Sequence, residues 1–564
     1  MHHAPKGTMM GLRKNVSYLN RYRQIVHVMT KHGLGYFVEQ MGLTSMVPRT
    51  KRKDIAMQRP RGSLAATYRV ILEELGPTFI KFGQILSTRP DIVSPEYVQE
   101  FSKLQDSVPP LPFSVISAQM ERELSAPLET VFASVDEEPI ASASIGQVHK
   151  GVLRTGETVA VKVQKPDIER TVSLDLEIMR NLARRVGTLA AQRSPYEPEE
   201  IVDEFAKAIR KELDYTLEAR NAEKFYREFE KERSVRIPRI FRQHSTKRLL
   251  VMEYIEGRKV LDILGDARYT KEERAHIAKI GADALYKMIF VHGFFHADPH
   301  PANIFVIDAA TISFLDFGIV GRINSRMRDN IVDLVLGVVE RDAERIADTV
   351  IEITGAEEVG KDELVWEIDD LVDQYYGQTL ENVNMGQFIQ DLTTVAKRHR
   401  LKMPKHYTLL SKAILMIEGI GRQLDPSFDA LSHSRPYVET MVRERMKPSA
   451  MARRWYASIT QAGELLLDLP KRVDTMVTRL SKRGFKIGVE RDTIDALTHS
   501  FERSVNRLSF AIVSASMVLA SAVLLQADVG PHWKSLPLVG LALFAVSFLF
   551  GVSLLNGIFK SGKL

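Results

Sequence analysis

The 564-residue sequence predicts an α+β protein: a two-lobed mixed core, a helical extension ahead of it and a transmembrane helical hairpin at its C-terminal end. Three observations carry this expectation. A strand-rich stretch, Ile140–Gln164, lies between long segments of helical periodicity. Two short apolar runs, Ile304–Ile307 and Thr311–Leu315, flank Asp308-Ala-Ala and read as a tight β-hairpin. Finally, Leu508–Leu525 is apolar or small throughout, and Leu536–Phe559 is a second run without a charge. Each is about long enough to cross a hydrocarbon core of about 30 Å. A chain of this length should hold several domains. The expected divisions are a basic amphipathic region (1–62), a helical extension (63–125), the core (126–430), a basic juxtamembrane helical region (431–507) and the hairpin (508–560).

Charge and composition narrow the setting. The net charge of +6 is mild, but no acidic residue occurs from Met1 to Phe37, and a second basic belt runs from Arg443 to Arg507. Basic segments next to a membrane are attracted to anionic headgroups, so an anionic lipid surface is an expected partner. Nucleic acid is not, because no nucleic-acid-binding motif accompanies the charge. With no cysteine, disulfides, thiolate catalysis and cysteine-based zinc sites are excluded. The N-terminus lacks the apolar core of a secretory signal. Arg503 and Arg507 precede the first apolar run, and Lys560 and Lys563 follow the second. The positive-inside rule then puts both ends in the cytoplasm. The expected location is the cell inner membrane with the core on the cytoplasmic side, in preference to a mitochondrial membrane.

Taken in order, Tyr18–Leu43 reads as a basic helical segment with Ile25, Val26, Met29, Leu34, Phe37 and Val38 apolar. Ser63–Leu75 is a helix that ends before Gly76-Pro77. Thr78–Leu86 follows, and Lys81 and Gln84 share one of its faces if it is helical. In Thr158–Gln164 the valines 159, 161 and 163 alternate with other residues, which puts Lys162 on the opposite face of a strand. Ahead of it, Ala141, Ser142, Ala143, Ser144, Ile145 and Gly146 form a loop where a nucleotide kinase would carry glycines. Their Cβ atoms should make this loop stiffer than a glycine-rich one.

Pro198–Tyr226 reads as one long helix on which Phe205, Ile209 and Glu212 share a face. A half-buried glutamate needs a cation and Lys162 needs an anion. Pairing the two would reproduce the strand-lysine to helix-glutamate link that positions phosphates in kinases. Asp214 lies two residues on. Leu249–Ile255 is a strand leading to a hinge at Glu256-Gly257, and Glu253 is a candidate nucleotide-binding residue. A helix through Ile277–Val291 delivers the chain to His296.

His296–Gly318 carries the chemistry. Asp298 and Asn303 have the D-x-x-x-x-N spacing of kinase catalytic loops, and Asp316-Phe317-Gly318 is a D-F-G. The hairpin between them should set Asn303 beside Asp316, a pair of hard oxygen ligands suited to Mg²⁺ that also holds phosphates. Helix should resume near Arg328 and continue to Ala430, with no A-P-E and no room for a long activation loop.

These motifs resemble the UbiB family, also called ADCK, of atypical kinase-like proteins linked to ubiquinone biosynthesis. The K-x-G-Q signature matches Lys81-Phe-Gly-Gln84, and the alanine-rich loop matches Ala141–His149. The E-x-D matches Glu212-Leu-Asp214, and H-x-D-P-H-P-x-N matches His296–Asn303. Ser142 interrupts the alanine run and Ala302 stands where glycine is usual, but neither removes a functional group. The resemblance implies a protein-kinase-like fold that binds Mg-nucleotide, with ATP and Mg²⁺ as cofactors. It also implies that the K-x-G-Q segment packs across the active site, which makes Lys81, Gln84 and Asp214 regulatory candidates.

On this reading Lys162 contacts the α- and β-phosphates and Glu212 holds it, while Asn303 and Asp316 bind the metal. Asp298 orients the nucleophile and accepts its proton; His296 and His300 shape the loop. The expected activity is ATP-dependent phosphoryl transfer that supports isoprenoid quinone synthesis through membrane lipid precursors, with quinone-biosynthesis enzymes as partners. A kinase phosphorylating a protein or small-molecule hydroxyl in trans is the alternative.

Overall fold

The computed structural model describes residues 6–43, 63–87, 89, 92–104, 108–190, 197–356, 359–375, 385–445, 511–523, 532–533 and 536–560. The chain forms two compact units, Met1–Met451 and Ala452–Leu564.

In the first unit, strands Phe132–Val135, Gly146–Leu153, Thr158–Gln164 and Leu249–Glu253 form an antiparallel sheet in that order, and Ala141–Ser142 pairs with Gly146–Leu153. The valine alternation decides which face of the sheet is which. Val159, Val161 and Val163 are fully buried against Ile116, Met120, Phe132 and Leu249. Ala160 faces the other way, toward Tyr215, Ala219 and Leu250, and Lys162 shares that side.

The second lobe is mostly helical. Lys271–Tyr286, Ser325–Glu340, Ala343–Thr354, Lys361–Tyr375, Met385–Arg398 and Lys405–Leu424 share one apolar core with the hairpin Ile304–Asp308 and Thr311–Phe314. That hairpin forms as expected. Phe314 pairs with Ile304, and Asp308 Oδ1 accepts from Ala310 N at 2.8 Å across the turn. Lys271–Tyr286 begins at a Thr270 capping box and widens into a π-helical turn over Lys287–His292, which ends at the left-handed Gly293.

The N-terminal extension is helical as expected, through Lys6–Lys31, Gly35–Gln40, Leu64–Leu75, Pro77–Ser87 and Pro95–Phe101. It packs on two helices of the core, Ile168–Ala190 and Pro198–Glu212. The buried Asp175 accepts from Arg21 Nε and Nη2 at 2.7 and 3.0 Å, which fastens the first helix in place.

One expectation about the backbone fails. Pro198–Tyr226 is two helices, Pro198–Glu212 and Tyr215–Phe229, separated at Leu213-Asp214. Asp214 is the N-cap of the second, its Oδ1 accepting from Thr216 N at 3.1 Å. A short carboxylate that satisfies an orphan helix donor favours a fresh start over continuation.

In the second unit, helix 511–523 faces Leu538–Lys560. Ser521 Oγ donates to Gly540 O at 2.7 Å, and Ser547 Oγ to Ser514 O at 3.0 Å. Among the described residues no helix is long and apolar enough to cross a membrane, so the transmembrane character expected of 508–560 is not confirmed. Residues 508–510 and 524–531 of that stretch lie outside the described residues, as does nearly all of the Arg443–Arg507 belt.

Candidate active site

The site lies where the Thr158–Gln164 strand, the Tyr215–Phe229 helix and the 296–318 segment meet. Lys162 Nζ donates to both carboxylate oxygens of Glu218, at 2.8 and 2.9 Å, and lies 3.6 Å from Asp316 Oδ2. The expected Lys162–Glu212 pair does not form. Glu212 instead accepts from Lys81, Nζ to Oε1 at 2.6 Å. The helix break is the cause: it ends the Glu212 helix and starts a new one, whose own buried stripe, Glu218, Ala222, Phe225 and Phe229, faces the core. Glu218 is absent from the sequence-based candidates although it shares a helical face with Ala222, Phe225 and Phe229 just as Glu212 does with Phe205 and Ile209.

Burial alone would pull the Lys162 ammonium down; the Asp316 and Glu218 carboxylates outweigh it and hold the group well above the ordinary lysine value. Burial pushes Glu218 up, with Lys162 pulling against it. Enclosure would also raise Asp316, but Lys162, the Gly318 N–H and Lys81 prevail and hold it at about 2. Asp316 is therefore an anion at neutral pH, and about half of its side chain remains open to solvent.

The D-F-G is held from the same helix. Asn221 Nδ2 donates to Phe317 O at 2.9 Å, and the Phe225 ring lies 5.2 Å from Phe317 and 4.7 Å from Phe294. Asp316 sits at φ 58°, a left-handed conformation that an aspartate tolerates better than most residues, and its Oδ1 accepts from Gly318 N at 3.1 Å. Immediately afterwards Val320–Arg322 pairs with Phe294–His296, and Ser325 begins a helix. The expected absence of a long activation segment is thus seen directly in the described chain.

Leu315 N donates to Asn303 O at 2.8 Å, so Asn303 and Asp316 flank the same end of the hairpin. Among the described residues no three carboxylate or imidazole groups gather as a metal site. An amide and one ionised carboxylate suit a Mg²⁺ that takes its remaining ligands from phosphates and water, and not a cage built by protein alone.

The loop partners are equally defined. His296 is fully buried; its Nδ1 accepts from Asp298 N at 3.2 Å and its Nε2 donates to Leu315 O at 3.2 Å. Burial lowers its pKa, so it is a neutral brace between the loop and the D-F-G. His300 Nδ1 accepts from Ala302 N at 3.2 Å. Asp298 Oδ1 accepts from Lys412 Nζ at 2.8 Å, a contact from a helix to which no sequence motif assigns a role.

The Ala141–Gly146 loop is a tight turn in which Ala143 N donates to Gly146 O at 2.8 Å and Ser144 is fully buried. A Cβ on Gly146 would stand 2.6 Å from the Tyr215 hydroxyl and 2.8 Å from Val163 O, so glycine is required there for space. Gln84 Nε2 donates to Leu104 O at 3.2 Å. Glu253 is engaged by Arg236 and accepts from Arg239 N at 3.2 Å.

This combination of a strand lysine, a helix glutamate, a D-x-x-x-x-N loop and a D-F-G on a two-lobed core defines a protein-kinase-like class. The ABC1 atypical kinase-like domain matches residues 103–350, the UbiB helical domain 368–429 and the ABC1/UbiB kinase-like C-terminal domain 492–560. The probable protein kinase UbiB of Aeromonas salmonicida is 34% identical over 86% of this chain and 89% of its own. That of Vibrio vulnificus is 31% identical over 90% and 94%. An uncharacterized protein from the hydrogenase 1 5' region of Clostridium pasteurianum is 31% identical over 96% and 99%. The chain belongs to the UbiB family of atypical kinase-like proteins.

Proposed function

We propose that this chain binds Mg-ATP between its lobes and hydrolyses it, and that this activity supports isoprenoid quinone biosynthesis by acting on membrane lipid precursors. The observation that carries the proposal is the Lys162–Glu218–Asp316 cluster, which holds a charged lysine and an ionised carboxylate together where the strand Thr158–Gln164 meets the 296–318 segment.

Lys162 would meet the α- and β-phosphates. Asn303 and Asp316 would hold Mg²⁺, which supplies charge neutralisation at the transferred phosphoryl group. Asp298 would orient a water molecule and take its proton. Hydrolysis is favoured over phosphorylation of a protein in trans for two reasons. The segment after Gly318 runs straight into a paired strand, leaving no platform for a peptide. Lys81 is bound to Glu212 and close enough to Asp316 to lower its pKa, so the helix Pro77–Ser87 stands beside the site.

The membrane part of the proposal rests on the apolar outer faces of the second unit, where Val518, Leu519, Val523, Phe548 and Leu549 are exposed. The test of the core reading is phosphate release from Mg-ATP by the purified full chain and by Asp316→Asn. The variant should lose hydrolysis; full activity in it would overturn the scheme. Loss of the gene should leave a quinone precursor accumulated in the lipid profile, and an unchanged profile would remove the pathway assignment while leaving the nucleotide site standing.

A further inference from the structure

The loop His296–Asn303 contains neither lysine nor arginine, so it brings no permanent cation of its own to the phosphoryl group that Asp298 serves. The structure delivers one from elsewhere. Lys412, on the helix Lys405–Leu424, places Nζ 2.8 Å from Asp298 Oδ1. The helix is firmly seated: Tyr407, Leu410, Ala413, Ile414 and Ile417 are buried in the core, and Asn330 Nδ2 donates to the Tyr407 hydroxyl at 3.2 Å. Packing therefore fixes the lysine's position along the loop.

Lys412 and Asp298 nevertheless keep 25% and 30% of their side-chain surface accessible, as a pair meeting a ligand must. Two other lysines described at the site serve different carboxylates, Lys162 both oxygens of Glu218 and Lys81 Glu212, whereas Lys412 is the lysine bonded to Asp298. An ammonium has three donors and no acceptor, so a contact to Asp298 leaves Lys412 with donors for phosphate oxygens.

We propose that Lys412 is a catalytic residue of this site, contacting the γ-phosphoryl group during transfer while it aims Asp298. This rests on the Mg-ATP reading above. In the step, a water oxygen bonds to the γ-phosphorus as the bond from that phosphorus to the β-bridging oxygen breaks. ADP leaves with the electron pair, and the water's proton passes to Asp298. Lys412 donates to the γ-oxygens on which negative charge is spread, and keeps the carboxylate turned toward the water.

The experiment uses the purified full chain and Lys412→Met, with Lys412→Arg as the conservative variant and melting curves for each. Mg-ADP affinity should stay within about threefold of the parent, since ADP lacks the γ-phosphoryl group that Lys412 would contact, while kcat should fall by about 100- to 1,000-fold, the scale for losing one transition-state donor. Mg-ADP with aluminium fluoride, which imitates the transferring group, should lose its extra tightness over Mg-ADP alone. Lys412→Arg should recover most of kcat. In a cycle with Asp298→Asn, the double variant should be little worse than Asp298→Asn by itself. If Lys412→Met unfolds, Lys412→Gln keeps a polar group beside Asp298 and carries the same expectation.

Parental kcat and parental aluminium fluoride binding in a folded Lys412 variant would overturn the proposal. A parent chain that neither binds nor hydrolyses Mg-ATP would instead bring down the nucleotide reading on which it rests.

Discussion

Replacing Glu218 by glutamine separates the observed ion pair from the one that sequence periodicity suggests. Glu218 accepts from Lys162 with both oxygens, and the side chains are only 7% and 18% exposed. Removing one partner of a buried pair costs about 3–5 kcal/mol, because the other charge is left behind. Lys162 retains Asp316 at 3.6 Å, which recovers part of that cost. The remaining loss should be about 2–3 kcal/mol, comparable to a charged hydrogen bond. Some of it would appear as a lower melting temperature. The rest would appear at the nucleotide, since a lysine drawn to Asp316 is no longer presented to phosphate. If the full amount were expressed in binding, Mg-ATP affinity would fall by about 30- to 150-fold. The assay is equilibrium titration of Mg-ATP, with Glu212→Gln alongside. Glu212→Gln releases Lys81 and should alter nucleotide affinity far less. Parental affinity in Glu218→Gln together with a large loss in Glu212→Gln would refute the assignment.

Three other outcomes are expected. Asp214→Ala removes the cap of the helix that carries Glu218 and should destabilise the protein by about 1 kcal/mol, with Asp214→Asn largely neutral in thermal melts. Gly321→Ala sets a Cβ 2.1–2.6 Å from three atoms of the Phe295 ring and should cost about 1–3 kcal/mol; a simultaneous Phe295→Leu should return part of it. Burial lowers the pKa of His149, His292 and His296, so the folded chain resists protons that the unfolded chain accepts. The histidines' contribution to stability should therefore be complete above about pH 6.5 and be lost as the pH drops below it, so His149→Gln should make the melting temperature less sensitive to acid in that range than the parent's.

The parts of the site carried by short-range pattern were legible. The valines of Thr158–Gln164 alternate because one face of the strand is core, and that placed Lys162 on the other face without knowledge of the fold. The hairpin followed from two apolar runs and a short Asp-led turn, and it sets Asn303 at the Asp316 end. Three features escape the sequence reading, each for a separate reason. The Ile168–Ala190 helix does have a readable stripe, Val172, Leu176, Met179 and Ala183, but no chemical motif draws attention to it. The break at Leu213-Asp214 has no glycine or proline to mark it; a capping aspartate makes it, and an aspartate on a helix surface looks the same in sequence. Lys412 reaches Asp298 across 114 residues, and only the packing of the helical region settles that contact.

The break has a consequence for how the two lobes and the extension act on one another. Glu212 and Glu218 belong to neighbouring turns of chain but serve different lysines, the first reaching Lys81 and the second Lys162. A continuous helix would have fixed their relative direction. Interrupting it at Leu213 gives each glutamate its own helix, with the Asp214 cap as the joint between them. Gln164 Nε2, two residues beyond Lys162 on its strand, donates to Leu213 O at 2.7 Å, so this joint is tied back to the strand that carries Lys162. Any displacement of Pro77–Ser87 that pulls on the Lys81–Glu212 pair therefore acts on a helix end bonded to that strand and capped against the helix that holds Lys162. The extension is coupled to Lys162 through two ion pairs and one turn, and each link of the route is a hydrogen bond or ion pair between named groups.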